Sequence, residues 1–268
     1  MPTIRVNGTE IYHEVRGDGP PVLLVMGATG DAGHFETVAD LLADEFTVLT
    51  YDRRGNGRSS RPDGWATTSA EEQADDAAAL LDALGLAPAA VFGTSSGGVI
   101  ALCLLVRHPE AVVGAVLHEP ALYSLFDDPA GVQNAMTALV NEGMASGGPP
   151  AALERFWRFV AGDSNWESLE DGLRRRMLTN AETYLSERGA VTSYLPAAET
   201  LSGIAVPVQV LASEQSRPFF GQAAGRLAEL LHVPVSRTAG THTPYLDHPH
   251  ELTQAIRPFL RQVSGLTA

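Results

Sequence analysis

The sequence contains no lysine, and this absence excludes several kinds of chemistry. All 18 basic residues are arginine. A Schiff-base lysine, a Ser–Lys dyad and the lysine of a phosphate-binding loop are therefore ruled out. Because the formal net charge is −14, nucleic acids and anionic membrane surfaces are also unfavourable partners.

Cysteine and long apolar runs are almost as scarce. The single cysteine, Cys103, cannot form an internal disulfide, and a cysteine-based zinc site has no ligands. No apolar run reaches the length of a membrane span. The start, MPTIRVNG, lacks the charged and apolar regions of a secretory signal. We therefore expect a cytoplasmic protein without a membrane partner.

The chain does contain an alternation of short apolar runs and helical patterns. Helical periodicity occurs around residues 35–43, 69–84, 96–108, 222–231 and 249–263. The alternation predicts an α/β protein with a mostly parallel, eight-stranded sheet flanked by helices, whose opening hairpin forms an antiparallel edge. The predicted strands are TIRVNG, EIYHEVRG, PPVLLVMG, FTVLTYD, AAVFGT, VVGAVLHE, VPVQVLAS and VPVSRTAG.

The alternation stops between residues 121 and 203. This interval carries helical patterns interrupted at ASGGPP. We predict a helical cap over residues 121–203, inserted into a core domain of residues 1–120 and 204–268. Its aromatic residues either contact a ligand or only pack the cap onto the core. They are Phe156, Trp157, Phe159, Trp166, Tyr184 and Tyr194.

The stretch VFGTSSGG matches the pattern G-x-S-x-G, with Gly93 and Gly97 on either side of Ser95. An apolar strand precedes it and the helical pattern VIALCLLVRHP follows, as a nucleophile elbow requires. Such a turn is so sharp that both flanking positions must lack bulk, and it presents the hydroxyl at a helix N-terminus. Ser95 is the predicted nucleophile. Ser96, which is not centred between the glycines, is predicted to offer its backbone N–H to an oxyanion.

The stretch AGTHTPYLDHP places His242 after the last apolar strand and before the last helix. Its imidazole can accept a hydroxyl proton near neutral pH, which makes it the predicted base. His248 and His250 do not suggest a metal site, because Pro249 begins a helix and no carboxylates are grouped nearby. We expect neither a metal nor a cofactor.

Together these motifs resemble those of the α/β-hydrolase superfamily over essentially the whole chain. The matching segments are VLLVMGATG, LTYDRRGNGRSSRP, FGTSSGG and AGTHTPYLDHP. The resemblance implies the α/β-hydrolase fold, with the N–H of Ala28 as second oxyanion donor in a loop that begins with His-Gly in many relatives. The residues Asp52, Arg53, Gly55 and Gly57 are expected to shape a loop rather than to take part in chemistry.

The position at which these relatives usually carry the triad acid holds no carboxylate here. They place an aspartate after the next-to-last core strand, in a Gly-x-x-Asp pattern. In VQVLASEQSRPF the corresponding residues are Ser213 and Ser216. A serine cannot stabilise an imidazolium by charge, so the acid must come from elsewhere.

Glu119, at the end of the strand VVGAVLHE, is the predicted acid. The carboxyl ends of neighbouring parallel strands open onto one crevice, so Glu119 can reach the second nitrogen of His242. Certain haloalkane dehalogenases and zearalenone lactone hydrolases place the acid on this strand, and the latter resemble this chain through a similar His-Glu-Leu-Pro stretch. Glu214, in the usual loop, and a dyad without an acid remain alternatives. His118 is expected to be structural, and Asp247 to cap a helix.

The predicted activity is hydrolysis of a carboxylic ester or lactone, with a small, largely apolar molecule as substrate. Alternatives are a perhydrolase or cofactor-free haloperoxidase, a carbon–carbon bond hydrolase, and a small-molecule receptor on the same scaffold. A homodimer is compatible with the sequence. No clamp for a carboxylate is identifiable, since the run at residues 174–176 is expected to face solvent. The predicted substrate-binding residues are Leu122, Tyr123, Phe126, Trp157 and Tyr184.

Overall fold

An eight-stranded sheet forms the centre of the computed structural model, which describes residues 2–62 and 64–266. The predicted domain limits at residues 1 and 268 lie outside these ranges. The strand order is β1-β2-β4-β3-β5-β6-β7-β8. β1 and β2 run antiparallel to their neighbours and the other pairings are parallel. The strands are β1 (Thr3–Val6), β2 (Thr9–Arg16), β3 (Pro21–Val25), β4 (Thr47–Tyr51), β5 (Ala89–Thr94), β6 (Val112–His118), β7 (Val208–Ser213) and β8 (Val235–Thr238).

The central strands are apolar along their whole length because both faces of the sheet are covered. Every residue of β5 is buried, as in a parallel strand with helices on either side. At the edge, Asn7 (φ 45°) and Gly8 (φ 78°) make the hairpin turn between β1 and β2. Asn-Gly suits two consecutive positive φ angles, which explains the antiparallel start of the sheet.

The five predicted helical segments correspond to α1, α2, α3, α9 and α11. Helix α9 begins at Pro218, earlier than the predicted residue 222, because proline is well accommodated in the first helical turn. The helices are α1 (Glu36–Leu42), α2 (Ala70–Ala83), α3 (Ser96–Arg107), α4 (Pro129–Ala161), α5 (Asp163–Ser168), α6 (Asp171–Thr179), α7 (Ala181–Thr192), α8 (Ala198–Ser202), α9 (Pro218–Leu231), α10 (Pro244–Asp247) and α11 (Pro249–Val263).

Helices α4 to α8 lie between β6 and β7, within residues 121–203, which we call the cap segment. Its long first helix, α4, is kinked at Gly147 and Gly148, where Gly148 has φ 71°. Pro149 and Pro150 follow and cannot donate backbone hydrogen bonds, so the kink falls in the predicted ASGGPP break. The division of the chain into a core domain and an inserted cap domain stays a prediction.

The cap segment has an apolar cluster that continues into the core. It contains Phe156, Trp157 and Tyr184, and it includes Phe220 and Ala223 of α9. Apolar burial therefore joins the cap segment to the face of α9, and this packing positions its helices above the carboxyl ends of the strands.

A buried ion pair supplies a second connection between core and cap segment. Arg53, which follows β4, donates to both carboxylate oxygens of Glu187 on α7, at 2.7 and 3.0 Å. Gln73 donates to the same carboxylate, and Arg53 also donates to the carbonyl oxygen of Gly27. The side chains of the pair are 0% and 2% exposed. Arg53 thus ties α7 to the loop after β3, a wider role than shaping its own loop.

Removing one partner of this pair should destabilise the protein strongly. We expect Glu187→Ala to lower the free energy of unfolding by about 3–5 kcal/mol, because Arg53 would keep an uncompensated buried charge. Urea unfolding followed by circular dichroism measures this. The matched control, Glu142→Ala, breaks an exposed pair with Arg155 and should cost less than about 1 kcal/mol. Equal losses in the two variants would contradict a role for burial.

Candidate active site

Ser95 occupies a strained turn between β5 and α3. Its backbone has φ 55° and ψ −125°, a conformation that side chains rarely adopt. A Cβ atom on Gly93 would lie 2.7 Å from that of Ala101, and one on Gly97 would overlap the carbonyl oxygen of Val25. Both glycines are therefore required by sterics, as the G-x-S-x-G pattern predicted, and the turn projects Ser95 above the sheet.

The loop after β3 approaches the same turn closely. A Cβ atom on Gly27 would lie 3.0 Å from the Cβ of Ser95. Ala28, Ser95 and Ser96 line one cleft. The N–H of Ser96 belongs to the first turn of α3, where the backbone has no intrahelical acceptor. The structure thus brings both predicted oxyanion donors to the elbow.

The carboxylate of Glu119 lies against the ring of His242, with Oε2 2.6 Å from Nδ1. Glu119 is fully buried and has φ 40°. Burial by itself raises the pKa of this carboxyl, but the hydrogen bond from His242 and that from Ser216 outweigh it, so the pKa lies below its ordinary value. Glu119 is therefore ionised at neutral pH, and its charge faces one nitrogen of the imidazole.

The other nitrogen of this imidazole points away from Glu119. Nε2 of His242 is buried and has no hydrogen-bond partner among the described residues. The side chain of Ser95 likewise makes no hydrogen bond to any described residue. The backbone of Ser95 is hydrogen-bonded to His118 and Ala121, the residues around Glu119, so the elbow lies beside the pair of Glu119 and His242. No hydrogen bond joins Ser95 to His242 among the described residues, and catalytic hydrogen bonds are often long before substrate binds.

Two serines complete the surroundings of Glu119. The backbone N–H of Ser213 donates to Oε1 at 2.9 Å, and the hydroxyl of Ser216 donates to Oε2 at 2.7 Å. Ser216 stands at the sequence position where relatives usually carry the acid. Ser216 therefore occupies the usual position of the acid and donates a hydrogen bond to Glu119, the carboxylate that follows β6.

The alternative acid, Glu214, lies elsewhere. It is exposed, and it borders a surface depression beside Arg217 and Arg237. The structure does not bring Glu214 to His242.

The expectation that Asp247 caps a helix is wrong. The residue before α11 is His248, and the Asp247 carboxylate instead accepts hydrogen bonds from the backbone and hydroxyl of Thr241. It thereby holds the loop that carries His242.

His118, the last residue of β6, is fully buried, and the expectation that it faces away from Glu119 is wrong. The positive φ of Glu119 breaks the strand alternation, and Nε2 of His118 lies 4.0 Å from Oε2 of Glu119. The Nδ1 of His118 is 2.8 Å from the hydroxyl of Thr94 and its Nε2 is 3.0 Å from that of Ser213. Burial lowers the pKa of His118 to about 4, so the ring is neutral at pH 7. It links Thr94 at the end of β5 to Ser213 at the end of β7, whose backbone N–H donates to Glu119.

Sequence reasoning missed the residue that packs on His242. Phe220 of α9 stacks on the ring of His242, with centroids 3.6 Å apart and planes 7° apart. The predicted start of α9 at residue 222 excluded Phe220 from the helix. Pro218, read as a first-turn proline, was the signal that could have included it.

The predicted substrate-binding residues separate into two groups. Tyr123 and Tyr184 line the cleft that contains Ser95. Leu122 and Phe126 are buried in apolar clusters. Trp157 packs on Trp166 and faces a different depression. None of these last three side chains lines the cleft.

Several cleft residues that the sequence did not single out lie on one face of α7. They share the spacing i, i+3, i+4, i+7, i+8 with Tyr184 as the first member. That periodicity was the available signal, because one pocket residue on a helix predicts its neighbours on the same face. The face consists of Tyr184, Glu187, Arg188, Val191 and Thr192.

The cleft is narrow and opens beside a larger chamber. The cleft has a volume of about 10 Å³, enough for roughly one water molecule. The adjoining chamber has a volume of about 350 Å³. The cleft at Ser95 is therefore tight, whereas the rest of a small substrate has room in the chamber.

Within residues 2–62 and 64–266, no group of three His, Cys, Asp or Glu side chains could hold a metal ion. Over the same ranges, no helix combines the length and the apolar character needed to cross a membrane.

Comparison with known proteins places this geometry in a family. The chain is 33% identical to an uncharacterized hydrolase of Bacillus subtilis, YraK, over 97% of this chain and 96% of the relative. It is 29% identical to a zearalenone hydrolase of Bionectria ochroleuca, over 91% and 90% of the two chains. The structure of a thermophilic esterase from Thermogutta terrifontis superposes with a TM-score of 0.80 at 23% identity, covering 98% of this chain and 97% of that one. A family model of the alpha/beta hydrolase fold matches residues 20–256, and the chain therefore belongs to the alpha/beta hydrolase family, as its motifs predicted.

Proposed function

We propose that the protein is a serine hydrolase that cleaves a carboxylic ester or lactone of a small, largely apolar substrate through an acyl-enzyme. The observation that carries the proposal is the 2.6 Å contact between His242 and the buried carboxylate of Glu119, at the site of an elbow serine. Relatives named zearalenone hydrolase and esterase support ester or lactone chemistry.

In the proposed reaction, the hydroxyl of Ser95 attacks the carbonyl carbon while Nε2 of His242 takes its proton. The Nδ1–H of His242 stays hydrogen-bonded to Glu119, whose charge stabilises the imidazolium. The N–H groups of Ala28 and Ser96 bind the developing oxyanion, and each donor of this kind contributes about 3 kcal/mol.

The tetrahedral intermediate then collapses, and the alcohol leaves with the proton carried by His242. In a lactone, this alcohol remains covalently part of the acyl group. Water next gives a proton to His242 and attacks the acyl carbon. The second tetrahedral intermediate then collapses. His242 returns the proton to Ser95, and the carboxylic acid is released. The reaction uses only groups of the chain and water.

Substitution of the nucleophile tests the proposal directly. Ser95→Ala should lower kcat for p-nitrophenyl butyrate by at least about 10⁴-fold, because no other group forms the acyl-enzyme. Ser96→Ala should reduce kcat far less, since Ser96 acts through its backbone. The reverse order would assign the nucleophile to Ser96. Stoichiometric ligand binding without turnover by the wild-type protein would instead favour a receptor.

The acid is tested by a matched pair of substitutions. Glu119→Gln should lower kcat several hundred-fold, because an amide cannot stabilise the imidazolium by charge. Glu214→Gln, at an exposed carboxylate, should remain close to wild type. Steady-state kinetics on one activated ester decides between them, with circular dichroism as the check on folding. Near wild-type kcat in Glu119→Gln would remove Glu119 from the mechanism.

Moving the acid to the Ser216 position provides a stricter test. Ser216→Asp alone should lower kcat, because two carboxylates would then compete at one imidazole nitrogen. In a Glu119→Ala background, the same change should recover at least about tenfold of the lost kcat. The position is suitable because the Ser216 hydroxyl and Nδ1 of His242 share one oxygen of Glu119. A double variant no faster than Glu119→Ala would show that a carboxylate there cannot serve the base.

A further inference from the structure

One charged side chain stands where the narrow cleft meets the larger chamber. The two cavities share Tyr123, Tyr184, Arg188 and Thr192. A substrate whose carbonyl reaches Ser95 and whose remainder occupies the chamber must pass the guanidinium of Arg188. The charge at this junction therefore bears on which substrates bind.

Arg188 differs from the other arginines of the described chain. It is half-buried, and no carboxylate oxygen of the described residues lies within 4.0 Å of its guanidinium. The other arginines without such a carboxylate are exposed to solvent, where water solvates their charge. These exposed arginines are Arg5, Arg175, Arg217 and Arg237.

The carboxylate next to Arg188 in sequence does not neutralise it. Glu187 accepts hydrogen bonds from Arg53 through both oxygens, and from Gln73. Arg53 and Glu187 cancel each other, so the charge of Arg188 remains uncompensated at the junction. A half-buried cation of this kind favours an anionic ligand.

The neighbours of Arg188 can donate further hydrogen bonds to an anion. Burial raises the pKa of Tyr123 to about 12 against the opposing charge of Arg188, and burial likewise raises that of Tyr184. Both phenols are therefore protonated at neutral pH. Gln133 and Thr137 line the chamber beside them, and phenol, amide and hydroxyl groups are donors that suit a carboxylate.

We infer that Arg188 binds a carboxylate of the substrate, so that the preferred substrates are esters or lactones carrying a free carboxylate on an otherwise apolar skeleton. This inference rests on the proposed function, since it names the substrate class for the same site. Arg188 acts in recognition, because its charge stands at the mouth of the cleft while Ser95 and His242 carry out the chemistry.

The kinetic test compares substrates that differ only in this charge. One pair is p-nitrophenyl hydrogen adipate and its methyl ester, with the carboxylate on the acyl side. The other is 4-acetoxybenzoate and its methyl ester, with the carboxylate on the alcohol side. The measured quantity is kcat/KM of the acid divided by kcat/KM of the methyl ester.

We expect Arg188→Gln to lower this ratio by about 10- to 100-fold in at least one pair, as loss of a charged hydrogen bond does. Arg188→Lys should retain part of the ratio, because it keeps the charge. The matched control is Arg175→Gln, an exposed arginine of the cap segment, which should leave the ratio unchanged. A fall of less than about fivefold in both pairs for Arg188→Gln would overturn the inference.

A binding experiment separates failure of this inference from failure of the proposed function. Calorimetric titration of the Ser95→Ala protein with hexanoate and with hexanamide needs no turnover. Hexanoate should bind at least about tenfold more tightly, and Arg188→Gln in the same background should abolish the difference. Equal affinities would overturn the carboxylate site even if esters are hydrolysed. Selective hexanoate binding in a protein that hydrolyses no ester would retain the site and reject the hydrolase.

Discussion

The site depends on a carboxylate that is buried away from water. An uncompensated charge in such a place costs several kcal/mol, so the surrounding elements must supply donors to Glu119. Three converge on it: the ring of His242, the backbone N–H of Ser213 and the hydroxyl of Ser216. His242 lies in the loop after β8, Ser213 ends β7 and Ser216 follows it, whereas Glu119 directly follows β6. The carboxyl ends of three adjacent strands are thus held together by the need to solvate one charge.

This arrangement explains the residues that stand where an acid is usual. A second carboxylate at Ser216 would face Glu119 across one imidazole nitrogen and raise the pKa of one of the pair. A hydroxyl avoids the repulsion and adds a hydrogen bond. His118 extends the network beside Glu119, where it joins Thr94 to Ser213. Because its buried ring is neutral at pH 7, it fixes the β7 turn without adding a charge.

The contact between core and cap segment also depends on buried charges that need partners. Arg53 and Glu187 form a buried pair that satisfies both charges and orients α7 over the elbow. The next residue on α7, Arg188, then faces the cleft on the same helical face, without a carboxylate of its own among the described residues. The ion pair of Arg53 and Glu187 holds α7 in place. Because it occupies the carboxylate of Glu187, it also leaves the charge of Arg188 uncompensated. The geometry of α7 connects the stability of the fold to substrate selection.

The sequence by itself determined the family, the sheet and the elbow, because these follow from local rules. Apolar runs predict covered strands, and the sterics of Gly93 and Gly97 identify Ser95 without knowledge of distant contacts. Only the tertiary structure decided which of Glu119 and Glu214 lies against His242. Both follow neighbouring parallel strands, and only the backbone at Glu119, with φ 40°, turns its carboxylate towards His242. Tertiary packing also decided which apolar residues line the cleft. Core residues and pocket residues are equally hydrophobic. Only the packing of the helices therefore shows that Tyr123 lines the cleft while Phe126 is buried in an apolar cluster.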